Sequence, residues 1–347
     1  MTAAAIVAVF GATALAQAKE CNDENKAAWY DTFLKNYKGE APQQKIAYDA
    51  AKLYLTSCPE DPNDQIASFM KNKFVVPYEK VTAGNELKKQ FDEAFKQKKY
   101  ADQIRIGKEI VATEPDNPVA YIIMGVAGLG DPSVLADSAQ AAKKAIELIE
   151  GGKPFAPYES KDKALAALNY SIAKSHLKSS PAEAIPYLLK AARYESELKK
   201  SPLLYLDLAA AYNDGPRAKL SEDYKQYLDK PESPESKLAL ANINQIIDRQ
   251  IDALARAAAL ATNAADKKNV MDVLTETYKD RNKDTTGLPE LVASVLSKPL
   301  PDLPTPLTSL PATPSSTPAT GGAQVGTNGA AKPVASPTPA NKKPRSN

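Results

Sequence analysis

Apolar residues recur at helical intervals along most of the chain, and residues 98–129 show the pattern most clearly. Five apolar or small residues mark one face of a predicted helix from Tyr100 to Thr113: Tyr100, Ile104, Gly107, Ile110 and Val111. Spacings of three and four residues place such side chains on one side of an α-helix. Pro115 and Pro118 end this helix and begin the next, because proline fits a first helical turn but not an interior.

The same periodicity predicts helices through most of the sequence. A helical hairpin is expected over residues 24–57, a short helix and an irregular link over 63–83, and helix pairs over 84–230, the last of which ends in a short helix at 221–229. Beyond Pro234 a long helix is expected, followed by helices at 265–278 and 289–296. Runs of β-branched residues are nearly absent, so the sequence predicts an all-α protein.

The spacing of four residues between positions 205 and 212 resembles that of a known repeat family. Tyr205, Leu208, Ala209 and Tyr212 place a large aromatic, a leucine, a small residue and a tyrosine at offsets of three, one and three. This arrangement resembles the tetratricopeptide (TPR) repeat, whose helix pairs stack into a solenoid. Partial matches occur at 30–37 and 121–125, and the third repeat matches least.

The resemblance implies a right-handed α-solenoid of stacked helical hairpins. Repeats would begin near residues 84, 118, 165 and 202, after an N-terminal unit at 19–83. Residues 231–298 would form capping helices, because a repeat array needs a terminal unit over its last apolar face.

In TPR proteins the exposed positions of the first helix of each pair line a concave groove. By offset, the resemblance assigns these positions to Lys88, Asp92, Phe95, Ile122, Val126, Leu129, Asn169, Ala173, His176, Leu206, Ala210 and Asn213. Capture of a peptide carboxylate is not expected, because Asp92 stands where an asparagine belongs. For Ile122 and Val126, packing on neighbouring helices is an equal alternative to exposure.

The first 18 residues are apolar and end in Ala-Gln-Ala, the small-residue pattern of a signal-peptidase site. We therefore expect a signal peptide at 1–18 and an exported chain, periplasmic or extracellular, with no membrane span in its mature form. No lysine or arginine precedes residue 19, which departs from the usual signal pattern.

Cys21 and Cys58 are the only cysteines, and they flank the predicted N-terminal hairpin. Antiparallel helices bring those two ends side by side, so a disulfide is expected in an exported chain. Two free thiols are the alternative.

From residue 299 the composition changes to Pro, Thr, Ser, Ala and Gly, and large apolar residues nearly vanish after Leu310. Such a segment buries too little surface to offset its ordering entropy. Residues 299–347 are therefore predicted to be a disordered tail.

Charge and chemistry narrow the functional classes. The formal net charge is only +2, and lysines and glutamates are interspersed, so no nucleic-acid partner is expected. His176 is the single histidine, and no phosphate-binding or zinc-binding motif occurs, so we expect no enzyme, cofactor or metal site. Asp248 and Asp252 are interpreted as a solvated ion-paired face, with Arg256 four residues after Asp252.

These observations favour an exported, non-enzymatic adaptor that binds a peptide or protein in the solenoid groove. The alternative is an envelope-associated structural protein that uses its proline-rich tail as a tether.

Overall fold

The computed structural model describes residues 20–310, which contain helices and irregular segments but no strand. The all-α prediction is confirmed for this part of the chain. The predicted signal peptide and residues 311–347 of the predicted tail lie outside the described residues. The α-helices are α1 (Asp23–Asn36), α2 (Ala41–Ser57), α3 (Gln65–Phe69), α4 (Val76–Lys96), α5 (Tyr100–Thr113), α6 (Pro118–Ala127), α7 (Leu135–Glu150), α8 (Lys161–His176), α9 (Pro181–Arg193), α10 (Pro202–Tyr212), α11 (Ala218–Tyr224), α12 (Pro234–Leu260), α13 (Ala264–Asn282) and α14 (Leu288–Ser294).

Most helices pack on a neighbour in the sequence, as α1 does on α2 and α12 does on α13, whereas α10 packs mainly on α12 and α14 also packs on α12. The buried apolar side chains form clusters that follow the same order. They span residues 29–75, 91–141, 122–172 and 170–295, so consecutive clusters after the first overlap at their ends. From α4 onward, each helix pair therefore covers apolar side chains of the pair before it.

The expected irregular link at 63–83 is helical instead. A π-helical turn, Met70–Val75, joins α3 to α4, and α4 then continues through Gly84. Because the π turn runs directly into α4, Pro77 lies inside a continuous helical segment, where its missing N–H interrupts an α-helical series of hydrogen bonds. The π turn provides the adjustment, because its bonds reach one residue further.

The end of the fourth predicted pair also differs from expectation. A second π-helical turn, Asn213–Arg217, continues α10 into the short helix α11, which replaces a helix expected at 221–229. The long helix α12 begins at a capping box formed by Ser233 and Ser236, and it packs against α10.

Two further expectations are corrected near the C-terminus. Asp252 pairs with Arg256 at 2.7 Å as expected, but the Arg256 side chain is only 5% exposed, so this is not a solvated face. Arg256 also donates to the backbone carbonyl oxygens of Lys298 and Pro299. Residues 298–308, here called the strap, lie along α12 and do not belong to a disordered tail.

Cys21 and Cys58 form the expected disulfide, with their Cα atoms 5.0 Å apart. It joins the open end of the α1–α2 hairpin, since Cys21 precedes α1 and Cys58 follows α2. No helix within residues 20–310 is both long and apolar enough to cross a membrane.

Gly125 allows α6 and α7 to approach closely. A Cβ atom at this position would lie 2.9 Å from the Cα atom of Ala142 and 2.7 Å from a methyl carbon of Leu168. The small residue expected from the repeat pattern is therefore required by backbone proximity.

We predict that replacing both cysteines by alanine lowers the free energy of unfolding of the α1–α2 region by about 3–4 kcal/mol, the chain-entropy value for a loop of this size. Denaturant unfolding followed by hydrogen exchange in α1 measures the change. Adding a reductant to this double variant should cause no further loss. An unreduced wild-type protein with two alkylatable thiols would contradict the assignment.

We predict opposite effects of alanine at two helical glycines. Gly125→Ala should destabilise the protein by about 1–3 kcal/mol, because the backbone of α7 cannot move without loss of packing. Gly84→Ala, where no atom lies within 4 Å of the new methyl group, should stabilise it by about 0.5–1 kcal/mol. Thermal unfolding of both variants checks the pair, and an equal sign for the two changes would refute the packing account.

Candidate functional site

The predicted groove residues of α4 lie at the surface, as expected. Lys88, Asp92 and Phe95 are all exposed. The Lys88 ammonium lies 2.6 Å from the Glu114 carboxylate, and this contact is the main cause that lowers the pKa of Glu114. Lys88 is thus engaged within the protein.

The predicted groove residues of α6 divide between core and surface. Ile122 is fully buried in a cluster with Ala142 and Leu168, whereas Val126 is half-buried and Leu129 is exposed. Ile122 is therefore not accessible to a ligand. The close approach at Gly125 explains its burial, because α7 and α8 are drawn over this part of α6.

The predicted groove residues of α8 are mostly inaccessible. Residues 164–173 are all buried, which includes Asn169 and Ala173. The Asn169 side-chain amide donates to the Leu165 carbonyl oxygen at 2.8 Å, so this polar group is satisfied inside its own helix. The prediction that Asn169 lines a binding groove is therefore wrong, because both faces of α8 are covered by other helices.

His176 lies at the end of the α8–α9 hairpin. Its Nδ1 atom is 3.1 Å from a carboxylate oxygen of Glu183, and its ring stacks parallel to that of Tyr187. Both partners belong to α9. The half-buried His176 side chain therefore connects α8 to α9.

The predicted residues of α10 come together at one place. Leu206, Ala210 and Asn213 line a cavity of about 400 Å³, which α12 and α13 complete. Apolar side chains of all three helices share this cavity: Leu206, Ala209, Ala210, Leu254 and Val273. We take this cavity, the α10–α13 cavity, as the candidate site.

A hydrogen-bonded polar wall stands beside the apolar lining. Arg217 Nη1 donates to Gln250 Oε1 at 2.9 Å and to Asn213 Oδ1 at 3.2 Å. The Asn213 side-chain amide in turn donates to the Asp214 carboxylate. Gln250 is buried, so this network is held rigidly against α12.

The π-helical turn after α10 positions this wall. It carries Asn213 and Arg217 one turn apart, and π turns inside helices frequently occur at functional sites. Gly215 is required here, because a Cβ atom would lie 2.7 Å from the backbone nitrogen of Ala182 at the start of α9.

Carboxylates dominate the charge of the cavity. Asp214, Glu276 and Asp280 line it together with a single cation, Arg217. Within residues 20–310, the exposed side chains of Glu276 and Asp280 take part in no salt bridge. The arrangement can accept a cationic or amide-bearing group whose alkyl part contacts the apolar lining.

A second polar cluster joins α8 to α10 beside Leu206. The Tyr170 hydroxyl donates to Asp207 at 2.6 Å, and the Lys174 ammonium lies 3.1 Å from the same carboxylate oxygen. Burial, and then the bond to Asp207, raise the pKa of Tyr170 above its usual range. This cluster fixes the angle at which α10 presents Leu206.

A larger cavity of about 770 Å³ lies beside the disulfide, between α2 and the helices that follow. Two of its four carboxylates, Glu79 and Asp64, accept several hydrogen bonds from within the protein. Glu79 accepts from Tyr48 and Lys52, which lowers the pKa of Glu79 and raises that of Tyr48 to about 12. Asp64 caps α3 by accepting from the Ala67 amide and also accepts from Tyr54. These bonds tie α2 to α3 and α4 beside the cavity.

The sequence interpretation missed the lower half of the α10–α13 cavity, namely Arg217, Gln250, Glu276 and Asp280. The sequence pattern assigns no role to residues 214–217, and it predicts α13 only as a capping helix. The acidic residues of α13, spaced four apart on one face, were the available signal. In the part of the chain that the structure describes, no group of three metal-ligating side chains occurs.

We predict that Asp207→Ala lowers the free energy of unfolding by about 1–3 kcal/mol, because it leaves Tyr170 and Lys174 without their shared carboxylate. Asp272→Ala provides the matched control, since Asp272 forms an exposed pair with Lys268 on α13 and should change stability by less than about 0.5 kcal/mol. Urea unfolding compares the two variants. Equal losses would show that Asp207 does not hold α8 and α10 together.

Comparison with known proteins gave no match: no family model fits the chain, and neither a curated protein nor a solved structure is significantly similar to it.

Proposed function

We propose that this protein is an exported, non-catalytic adaptor that binds a segment of another protein at the α10–α13 cavity. The observation that carries the proposal is the cavity itself, where the exposed carboxylates of Glu276 and Asp280, which form no salt bridge within residues 20–310, lie beside an apolar lining. Burial of an apolar anchor provides binding energy, and surrounding polar groups provide orientation.

The proposed architecture is a TPR-like right-handed α-solenoid. Packing between sequence neighbours and the chain-ordered apolar clusters support it, as does the glycine at the α6–α7 contact. In this architecture α10 is the first helix of the fourth pair, and α12 and α13 cap the array, so the exposed residues of α10 at the cavity would belong to the concave groove. The Cys21–Cys58 disulfide and the apolar N-terminal sequence support export.

The chemistry of the cavity defines the partner class. A peptide segment with a lysine or arginine next to an apolar residue would complement both its carboxylates and its lining. Because Glu276 and Asp280 are exposed, affinity for such a segment should fall as salt concentration rises.

We predict that selection from a random peptide library on the full chain enriches basic–apolar segments. Leu206→Glu should weaken the binding of a selected peptide about tenfold or more, because it places a charge in the apolar lining. Glu276→Lys should weaken it through repulsion of the basic residue. Fluorescence anisotropy measures each affinity.

Val81→Glu is the matched control, because Val81 is a largely exposed valine on α4, far from α10 along the chain. It should leave the affinity unchanged, and all variants should keep the helical circular dichroism of the wild type. Selected peptides that bind Leu206→Glu as well as they bind the wild type would refute this site.

A further inference from the structure

The strap has an unusual composition for a chain segment in contact with a helix. Residues 298–308 read KPLPDLPTPLT, with prolines at 299, 301, 304 and 306. Proline fixes its own φ, and it also restricts the residue before it to extended conformations. Only Asp302, Leu307 and Thr308 escape both constraints, so the sequence itself favours a polyproline-type strand.

Proline also changes the hydrogen-bonding capacity of the strap. Four of its residues have no N–H, while all keep a carbonyl oxygen. A surface that recognises such a strand through its backbone must therefore supply mainly donors.

Helix α12 presents donors in a regular series. Asn242, Arg249 and Arg256 are seven residues apart, which is close to two helical turns, so they share one face. We call these three residues the donor row. Each of them contacts the backbone of the strap.

The contacts run in antiparallel order. Arg256 Nη2 donates to the carbonyl oxygens of Lys298 and Pro299, each at 3.0 Å. Arg249 Nε donates to the carbonyl oxygen of Asp302 at 2.7 Å. At the far end, the Asn242 side-chain amide donates to the carbonyl oxygen of Leu307 at 3.1 Å.

The donor row also binds a backbone amide of the strap. The Leu307 N–H donates to Asn242 Oδ1 at 2.7 Å, so this asparagine makes a two-way contact with one residue of the strap. Arg193, at the end of α9, pairs with the Asp302 carboxylate. Leu300 packs against the large apolar cluster around α12.

One member of the donor row is held by α12 itself. Asp252 accepts from the Nε atom of Arg256 at 2.7 Å, one helical turn away on the same helix. This bond leaves the Nη2 end of the guanidinium free to meet backbone carbonyls. A fixed donor on a rigid helix loses little side-chain entropy on binding.

We propose that the donor row of α12 is a binding site for extended proline-rich segments, and that the strap is its resident ligand. The donor row binds mainly the backbone carbonyl oxygens of the segment, and Arg193 pairs with one acidic side chain. A proline-rich peptide with an acid at the Asp302 position therefore fits the row in place of the strap. This site is separate from the α10–α13 cavity and does not depend on the function proposed there.

The test uses a full-length chain in which residues 299–307 are replaced by an equal number of glycines and serines, here called the open-row chain. A fluorescent peptide of residues 298–308 is titrated, and anisotropy reports binding. The open-row chain should bind the peptide saturably. The wild type should bind it at least about tenfold more weakly, because its own strap competes at a high effective concentration.

Two substitutions in the open-row chain distinguish specific binding of the peptide by Arg249 from a general attraction to positive charge. Arg249→Ala should weaken peptide binding about tenfold or more, whereas Arg281→Ala should not. Arg281 is an equal charge on α13 that pairs with Asp248 and does not contact the strap. A peptide with alanine at all four proline positions should also bind at least about tenfold more weakly, because it must be ordered on binding.

A folded open-row chain with wild-type circular dichroism that fails to bind the peptide would overturn the proposal, as would equal binding by its Arg249→Ala variant. If the open-row chain does not fold, hydrogen exchange in the otherwise intact chain decides. Arg249→Ala should then speed exchange of the Leu307 amide, although Arg249 contacts only Asp302. An unchanged exchange rate of the Leu307 amide would refute the claim that the donor row binds the whole strap as a single ligand.

Discussion

Burial of each helix's apolar face by the next helix is the constraint on which this structure depends. The close approach at Gly125 shows its strictest form, because there the α7 backbone leaves no room for a methyl group on α6. The same approach draws α7 and α8 over Ile122, which becomes core instead of surface. Since burial is shared mainly between sequence neighbours, the chain needs no long-range closure to form its core, and local contacts of this kind are typical of helical repeat proteins.

The helices themselves could be predicted from the sequence because their signals are local. Apolar periodicity and first-turn prolines located most of them within a few residues, and the position of two cysteines around a hairpin predicted the disulfide. The two π-helical turns could not be predicted in this way. Each arises where a proline, Pro77 or Pro216, is kept within a continuous helix, and the periodic pattern gives no sign that the helix tolerates it.

The candidate site could be predicted only in part, for a different reason. An offset along one helix says where a side chain points, but exposure depends on what packs against it. Leu206 and Asn213, predicted as groove residues, line the α10–α13 cavity, whereas Asn169 is buried because α8 is covered on both sides. The strap is the clearest case of a tertiary effect. Its composition is that of a disordered tail, and only the donors of α12, distant in sequence, explain why it is held.

Hydrogen exchange on an Ile122→Ala variant tests the neighbour-to-neighbour packing most directly. This change removes fully buried apolar atoms and should cost about 2–5 kcal/mol. If each helix buries its apolar face mainly against nearby helices, amide protection should fall most in α6, α7 and α8 and should stay near wild type in α1 and α13. A uniform loss of protection across all of these helices would contradict the account, since it would show a single core that opens as one unit.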